Sequence, residues 1–371
     1  MKFIHLSDLH LGKSVLKRYF FEEQYEQLQS VVQYVLTHNI DAVLISGDIY
    51  DTKNPKKEAI ALYSWFVNEV TQYVPLLAIA GNHDLAEIHD FASELLQKNK
   101  YYVAGQFQFP LPKVTFKGEE IVNIYLFPYV TVEDLNDYFY GKCSFETIQE
   151  GVSYVLEHTI LNHNERNILL FHGFITGRHD LLFTESERTT TLGTAQAIDY
   201  HIFSDFDYVA LGHLHRYQRV ETSNSYYSGS LYWYSDMEST HDKGMIELTI
   251  TPDNMDVSFV PLEPTRRFIK AKGTLYELLN HEPTDDYVVV ELTEDIEDSN
   301  IKEMLKPIFP NILRIIQPDV YENQIEDDEL FNFNTDLEQQ IKQYYTQRYQ
   351  EEMDDTMEKM LQQVFKEMEE I

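Results

Sequence analysis

Three apolar runs in the first third of the chain each break off into small and polar residues: FIHLSDLH (3–10), DAVLISGD (41–48) and VPLLAIAGNHD (74–84). Unbroken apolar runs of this length read as strands buried on both faces, with the polar residues at their carboxyl ends. Between them, residues 22–38 and 57–73 have helical spacing, and in the second Ile60, Tyr63, Val67 and Val70 fall on one face. Strands alternating with helices predict an α/β sheet. The pattern continues with strands near 121–128, 167–172 and 207–212 and a helix near 146–162. Antiparallel strands are predicted over 225–261, with Gly229 and Gly244 as turns.

PLEPTRRF (261–268) marks a boundary. Beyond it the pattern predicts strands near 267–272, 287–292 and 312–316 and helices near 274–280 and 300–306. Three regions follow: a main domain over 1–264, a small α+β unit over 265–318, and an acidic segment over 319–371. From 336 onward the last reads as amphipathic helix, with Leu337, Ile341, Tyr345, Met353, Met357, Met360, Val364 and Met368 on its apolar face.

Five short motifs sit at the ends of these runs: D-L-H (8–10), G-D-I-Y-D (47–51), G-N-H-D (81–84), F-H-G (171–173) and G-H-L-H (212–215). In an open α/β sheet the carboxyl ends of the strands open onto one crevice, so separated motifs converge. Imidazole, carboxylate and one amide oxygen suit manganese, iron or zinc. In D-x-H and H-x-H, alternate positions of an extended segment point the same way and offer two ligands from one strand end. A pair of ions sharing a bridging carboxylate needs about seven protein ligands. The motifs supply Asp8, His10, Asp48, Asn82, His172, His213 and His215. Each motif alone is an ordinary turn or loop, and His172 alone a core histidine; their joint occurrence in this order is what points to metal. The other histidines, such as His38, His158 and His241, read as structural or exposed.

This ordered set resembles the calcineurin-like metallophosphoesterase superfamily over residues 1–260. SDLHLGK, SGDIYD, GNHD and VALGHLHRYQ are most similar to its bacterial nuclease subunits that work with SMC-like ATPases, whose archaeal and eukaryotic relatives process DNA double-strand breaks. The resemblance implies two β-sheets flanked by helices, a small capping domain and a C-terminal helical segment that docks on the ATPase. It implies a nuclease with two divalent ions, manganese foremost, acting as exonuclease on duplex ends and endonuclease on single strands or hairpins. By the same resemblance Asp8, His10 and His215 hold one ion, Asn82, His172 and His213 the other, and Asp48 bridges them. His83 serves as general acid or stabiliser of the scissile phosphate. Asp51 stands where archaeal and eukaryotic relatives carry a histidine; it is either catalytic or a residue that orients a neighbour. A homodimer through helices around 57–73 and 85–98 is expected, with Trp65 and Phe66 as exposed aromatics.

Charge pulls the other way. With 29 basic and 62 acidic residues the formal net charge is −33, the reverse of what a free-standing nucleic-acid binder shows. Bound divalent ions reverse the local field. Ten basic residues also follow the motifs: Lys13, Lys17, Arg18, Lys53, Lys56, Lys57, Arg178, Arg188, Arg216 and Arg219. The expectation is weak DNA binding without the ATPase partner. A phosphatase or cyclic phosphodiesterase on small molecules or proteins is the alternative, and a scaffold that has lost its ligands a third. Cys143 is the single cysteine, which excludes an internal disulfide and a thiolate zinc site. Asp8 and His10 interrupt the first apolar run too early for a signal peptide, and no run reaches the roughly 20 residues of a membrane span. A cytoplasmic protein is expected.

Overall fold

Alternation within the central strands builds the molecule in layers. In the strand Ala42–Ser46 all five residues are buried. Its even positions Ala42 and Leu44 join one apolar cluster, whereas Val43 and Ile45 join another. The strand Arg166–His172 behaves the same way, with Ile168 and Leu170 on one side and Leu169 and Phe171 on the other. Both strands are therefore covered on both faces, as their continuous apolar character requires. The computed structural model describes residues 1–177, 197–296, 298, 300–318 and 357.

Two six-stranded sheets result. In spatial order the first runs Met255–Pro261, Gly244–Ile250, Lys2–Leu6, Ala42–Ser46, Leu76–Ile79 and Tyr101–Ala104. The second runs Gln218–Arg219, Ser225–Tyr227, Tyr208–Gly212, Arg166–His172, Ile121–Phe127 and Lys113–Lys117. The sheets meet through Phe3, Leu44, Leu77 and Ile79 on one side and Ile124, Leu126, Ile168, Leu170 and Tyr208 on the other. Helices Phe21–Thr37 and Lys57–Thr71 cover the outer face of the first. Helices Val132–Tyr138 and Ile148–Glu157 cover the second. Thr131 and Thr147 each cap the latter pair with a complete capping box.

The third sheet is parallel, in the order Phe268–Gly273, Tyr287–Leu292, Asn311–Ile316. Its own core includes Leu278, Val288, Val290, Leu305 and Phe309. The other face carries Phe268, Tyr287 and Val289 onto Val15, Phe20, Tyr232, Trp233 and Tyr234 of the main body. Residues 1–316 thus form one compact unit. The acidic segment 319–371 lies outside the described residues except for Met357. No helix among the described residues is long and apolar enough to cross a membrane.

Two sequence expectations are corrected. The helix Lys57–Thr71 buries Ala59, Leu62, Tyr63, Phe66 and Val70, while Ile60 is exposed. Phe66 is fully buried and Trp65 packs against Tyr25 with ring centroids 4.7 Å apart. Tyr63, Val67 and Val70 face the core as expected; because the helix is apolar on more than one side, the pattern alone misplaced Ile60 and Phe66. The stretch 225–261 is antiparallel only in part: Ser225–Tyr227 pairs parallel with Tyr208–Gly212, and Asp236–Thr240 is a 3-10 turn.

Candidate metal centre

Register brings the motifs together. The strands Lys2–Leu6, Ala42–Ser46 and Leu76–Ile79 pair in parallel, as do Arg166–His172 and Tyr208–Gly212, where His172 stands opposite Gly212. Their carboxyl ends deliver Asp8, His10, Asp48, Asn82, His172, His213 and His215 to one place. Beyond the strands the first two motifs zip together: Asp8 N–H donates to Gly47 O (3.1 Å), His10 N–H to Asp48 O (3.0 Å) and Leu11 N–H to Ile49 O (2.9 Å). These bonds hold Asp8, His10 and Asp48 at positive φ (52°, 41° and 51°), with His213 at 110°. Such conformations are costly for non-glycine residues and persist only where surrounding bonds over-determine them. The glycines serve close approach: a Cβ on Gly81 would lie 2.2 Å from Asp48 Oδ1.

The donor atoms form two linked groups. Asp8, His10 and His215 offer ligand atoms all within 4.8 Å of one another. Asn82 Oδ1 lies 2.9 Å from His172 Nε2 and 3.1 Å from His213 Nδ1. Asp48 Oδ2 stands 3.5 Å from both His10 Nε2 and His172 Nε2, between the groups.

Hydrogen-bond accounting tests whether these residues fit cations. His172 Nδ1 must donate to the Ser46 carbonyl (2.8 Å), so its Nε2 presents a lone pair to Asn82 and Asp48. His215 Nδ1 lies 3.0 Å from the buried Glu238 carboxylate, so its Nε2 lone pair faces His10 Nε2 at 3.1 Å. His10 Nδ1 in turn lies 3.4 Å from Asp51 Oδ1 without a hydrogen-bond partner. A neutral His10 has one proton for two such facings, and acceptor meets acceptor on the other. Burial keeps His10, His172 and His213 neutral, lowering His10 and His172 to about 4 and His213 to about 3. Burial also pushes the Asp8 carboxyl well above the usual range, against the pull of His215, Ser7 and the His213 amide. A buried surplus of lone pairs on neutral imidazoles and carboxylates is what divalent ions satisfy. The set contains no thiolate and fits hard or borderline metals.

His83 stands at the rim, partly buried. Its amide donates to Asp48 Oδ1 (2.9 Å) and its Nδ1 to the Asp51 carbonyl (2.9 Å), which leaves Nε2 for chemistry. One of its nitrogens lies within 4.8 Å of ligand atoms of His10 and Asp48. Asp51 accepts from Lys13 Nζ (2.8 Å). Burial raises its pKa, but the facing His10 ring and the Lys13 charge outweigh this and hold it well below the usual carboxylate range.

Three supports were not singled out in the sequence. Asp84 accepts from the amides of Gly81 (2.9 Å), Tyr50 (2.9 Å) and Ile49 (3.1 Å), tying the second and third motifs. It lay in plain view in G-N-H-D. Glu238 and Lys243 sit in a stretch with no motif, and nothing in the sequence marks them. The basic residues expected as a positive rim are partly engaged elsewhere. Lys13 holds Asp51, Arg18 lies over the Tyr287 ring, Lys56 over Tyr19 and Arg219 over Tyr226. Lys17, Lys53 and Lys57 are exposed. Arg178 and Arg188 lie outside the described residues.

The calcineurin-like phosphoesterase family model matches residues 1–217. The SbcD component of nuclease SbcCD from Staphylococcus epidermidis is 32% identical over 85% of this chain and 85% of its own length. The protein of the same name from Staphylococcus saprophyticus is 30% identical over 91% of this chain and 87% of its own length. A solved dimetal phosphatase from Danio rerio is 14% identical, with a TM-score of 0.42 over 71% of this chain and 97% of that one. Together with the donor set, the family model and the two staphylococcal relatives settle the class: the chain belongs to the calcineurin-like phosphoesterase family, in the branch of the SbcD nucleases, and is a metal-dependent phosphoesterase.

Proposed function

We propose that the chain is a DNA nuclease that acts in the SbcD role beside an SMC-like ATPase of the SbcC type. It would degrade duplex ends as an exonuclease and open single strands or hairpins as an endonuclease, in DNA repair, recombination and replication in the cytoplasm. The observation that carries the reading is the convergence of seven lone-pair-rich donors in a chain that matches SbcD nucleases over most of its length. Asp8, His10 and His215 would hold one ion, Asn82, His172 and His213 the second, and Asp48 would bridge them. When bound, the ions, manganese foremost, supply Lewis-acid stabilisation of phosphoryl charge and lower the pKa of the attacking water.

The chain's own groups do the rest. In its doubly protonated form His83, with Nδ1–H fixed on the Asp51 carbonyl, donates from Nε2 a proton to the leaving oxygen or a hydrogen bond to the phosphoryl group. Asp51 positions: its carboxylate faces His10 and its carbonyl holds His83. Exposed Lys17, Lys53 and Lys57 supply backbone phosphate contacts. A body of net charge −33 leaves affinity to the partner. Residues 265–318 would cap the site, and the segment 319–371 would dock on the ATPase. Phe91 (80% exposed) and Leu95 (62%), with Ile60 and Ile88, would join two copies within a heterotetramer.

The test is digestion of end-labelled duplex and hairpin DNA against an aryl phosphodiester, with manganese and with EDTA, alone and with the co-purified ATPase. Manganese-dependent cutting of DNA, stimulated by the ATPase and ATP, is expected. Turnover of the aryl ester with intact DNA under every condition would favour a small-molecule phosphodiesterase. Full activity in excess EDTA would overturn the metal mechanism.

A further inference from the structure

The two halves of the centre are supported differently. His172 is oriented by a neutral group, the Ser46 carbonyl. His215 is oriented by a charged one, Glu238 Oε1 at 3.0 Å, with both side chains at most 8% exposed. Glu238 itself is saturated. Its Oε2 accepts from Lys243 Nζ (2.6 Å), the Tyr234 amide (3.3 Å) and Ser230 Oγ (3.4 Å). Lys243 is saturated too, its other protons going to Ser230 Oγ (2.7 Å) and the His215 carbonyl (3.0 Å). Glu238 and Lys243 are both 0% exposed at the side chain.

A fully buried ion pair is a poor way to gain stability, because desolvation of two charges offsets their attraction; an apolar pair of the same volume does as well. What an apolar pair cannot do is accept the His215 Nδ1 proton. That acceptance fixes the tautomer, aims Nε2 at the ligand cluster, and makes the imidazole a stronger base toward a cation. Lys243 keeps Glu238 ionised and in place. A second carboxylate, Asp51, faces His10 Nδ1 at 3.4 Å in the same half. The half built on Asn82, His172 and His213 contains a neutral amide ligand and a carbonyl-backed imidazole.

We infer that Glu238, clamped by Lys243, is a positioning residue that makes the Asp8–His10–His215 side the tighter of two unequal ion sites. The inference rests on the two-ion reading of the centre. Filling is therefore stepwise: the carboxylate-backed side loads first, and the Asn82 side exchanges at higher free metal.

Calorimetric titration of metal-free full-length protein with Mn2+, paired with ion counts per chain after gel filtration, tests this. The wild type should bind in two steps. Glu238→Gln should weaken the tighter step by about 10- to 100-fold, the usual effect of removing an outer-shell partner, while the weaker step and the near-ultraviolet circular dichroism stay as they were. His172→Ala should do the reverse and weaken the second step. The double variant E238Q/K243M buries no unpaired charge, so it serves where the single variant fails to fold, with the same expected loss. Two unchanged steps in a folded variant, or equal weakening of both, would overturn the assignment of Glu238. A wild type that binds a single ion would instead overturn the two-ion reading itself.

Discussion

Replacing Gly212 by alanine puts the packing of the centre to a direct test. Gly212 closes the strand Tyr208–Gly212 opposite His172. A Cβ there would lie 1.9 Å from the Ser46 carbonyl oxygen and 2.8 Å from His172 Nδ1, the two atoms that hydrogen-bond at 2.8 Å. The methyl group would thus sit on the bond that orients His172. The obstructing oxygen belongs to the backbone of a central strand and cannot swing aside. Overpacking of a dense core costs about 1–3 kcal/mol. A buried imidazole N–H left without its acceptor adds roughly 1–3 kcal/mol. Together these are about 2–6 kcal/mol, and at about 2–4 °C per kcal/mol for a domain of 150–250 residues G212A should melt on the order of 5–20 °C lower. It should lose the ion on the Asn82–His172–His213 side and keep the other. Thermal melting of the metal-free protein and ion counts per chain check both. A variant that melts within about 1 °C of wild type and still holds two ions would refute the argument that this glycine exists for close approach.

His83→Ala should keep both ions and lose most turnover, whereas Asp48→Ala should lose metal; equal metal loss in ion counts would make His83 a ligand. In the metal-free protein, burial lowers His5 and His213 to about 3 and His10 and His172 to about 4. The unfolded chain then binds more protons below the ordinary histidine value of about 6.5. Stability should therefore be full above pH 6.5 and fall progressively toward pH 4; a flat urea midpoint across that window would contradict buried neutral rings. Phe91→Glu with Leu95→Glu should turn a dimer into a monomer in sedimentation without lowering the melting temperature, and an unchanged mass would exclude that face. Deleting residues from 330 onward should leave manganese-dependent cutting of short single strands intact and abolish capture of the ATPase. Wild-type affinity in calorimetry would exclude the segment as the docking element.

What the sequence revealed and what it hid divide along the range of the interactions. The strands Lys2–Leu6, Ala42–Ser46 and Leu76–Ile79 were legible because burial on both faces leaves an uninterrupted apolar run, and their polar ends were legible because a buried strand has few other reasons to end in Asp, Asn or His. The helix Lys57–Thr71 was found, with Tyr63, Val67 and Val70 inward as expected and only Ile60 of that face misplaced. Ile60 faces out and Phe66 in, because the sequence carries apolar residues on both sides and only the sheet beneath decides which side is covered. The Glu238–Lys243 pair was illegible for a different reason. Its partner His215 lies 23 positions upstream of Glu238, just past a strand end, and the pair sits on a short 3-10 turn and the loop after it, which follow no strand or helix period. Nothing local distinguishes a buried glutamate from the many exposed ones in so acidic a chain.

The backbone of the centre shows why such remote support is needed. Asp8, His10, Asp48 and His213 all lie at positive φ, and residues held in such regions cost of order 1–3 kcal/mol each. The lone pairs they bring together in a largely buried cluster repel one another until a cation is bound. Both terms favour loops that relax away from the ligand geometry. They are opposed by the amide-to-carbonyl zipper between the first two motifs, by Asp84 bonded to three amides across the second and third, and by Glu238 behind the fifth. None of these supports is itself placed as an ion ligand. Ion binding therefore returns free energy that folding has already committed to the strained loops, and the gap in stability between metal-free and metal-bound protein should exceed what bare coordination to a relaxed site would give.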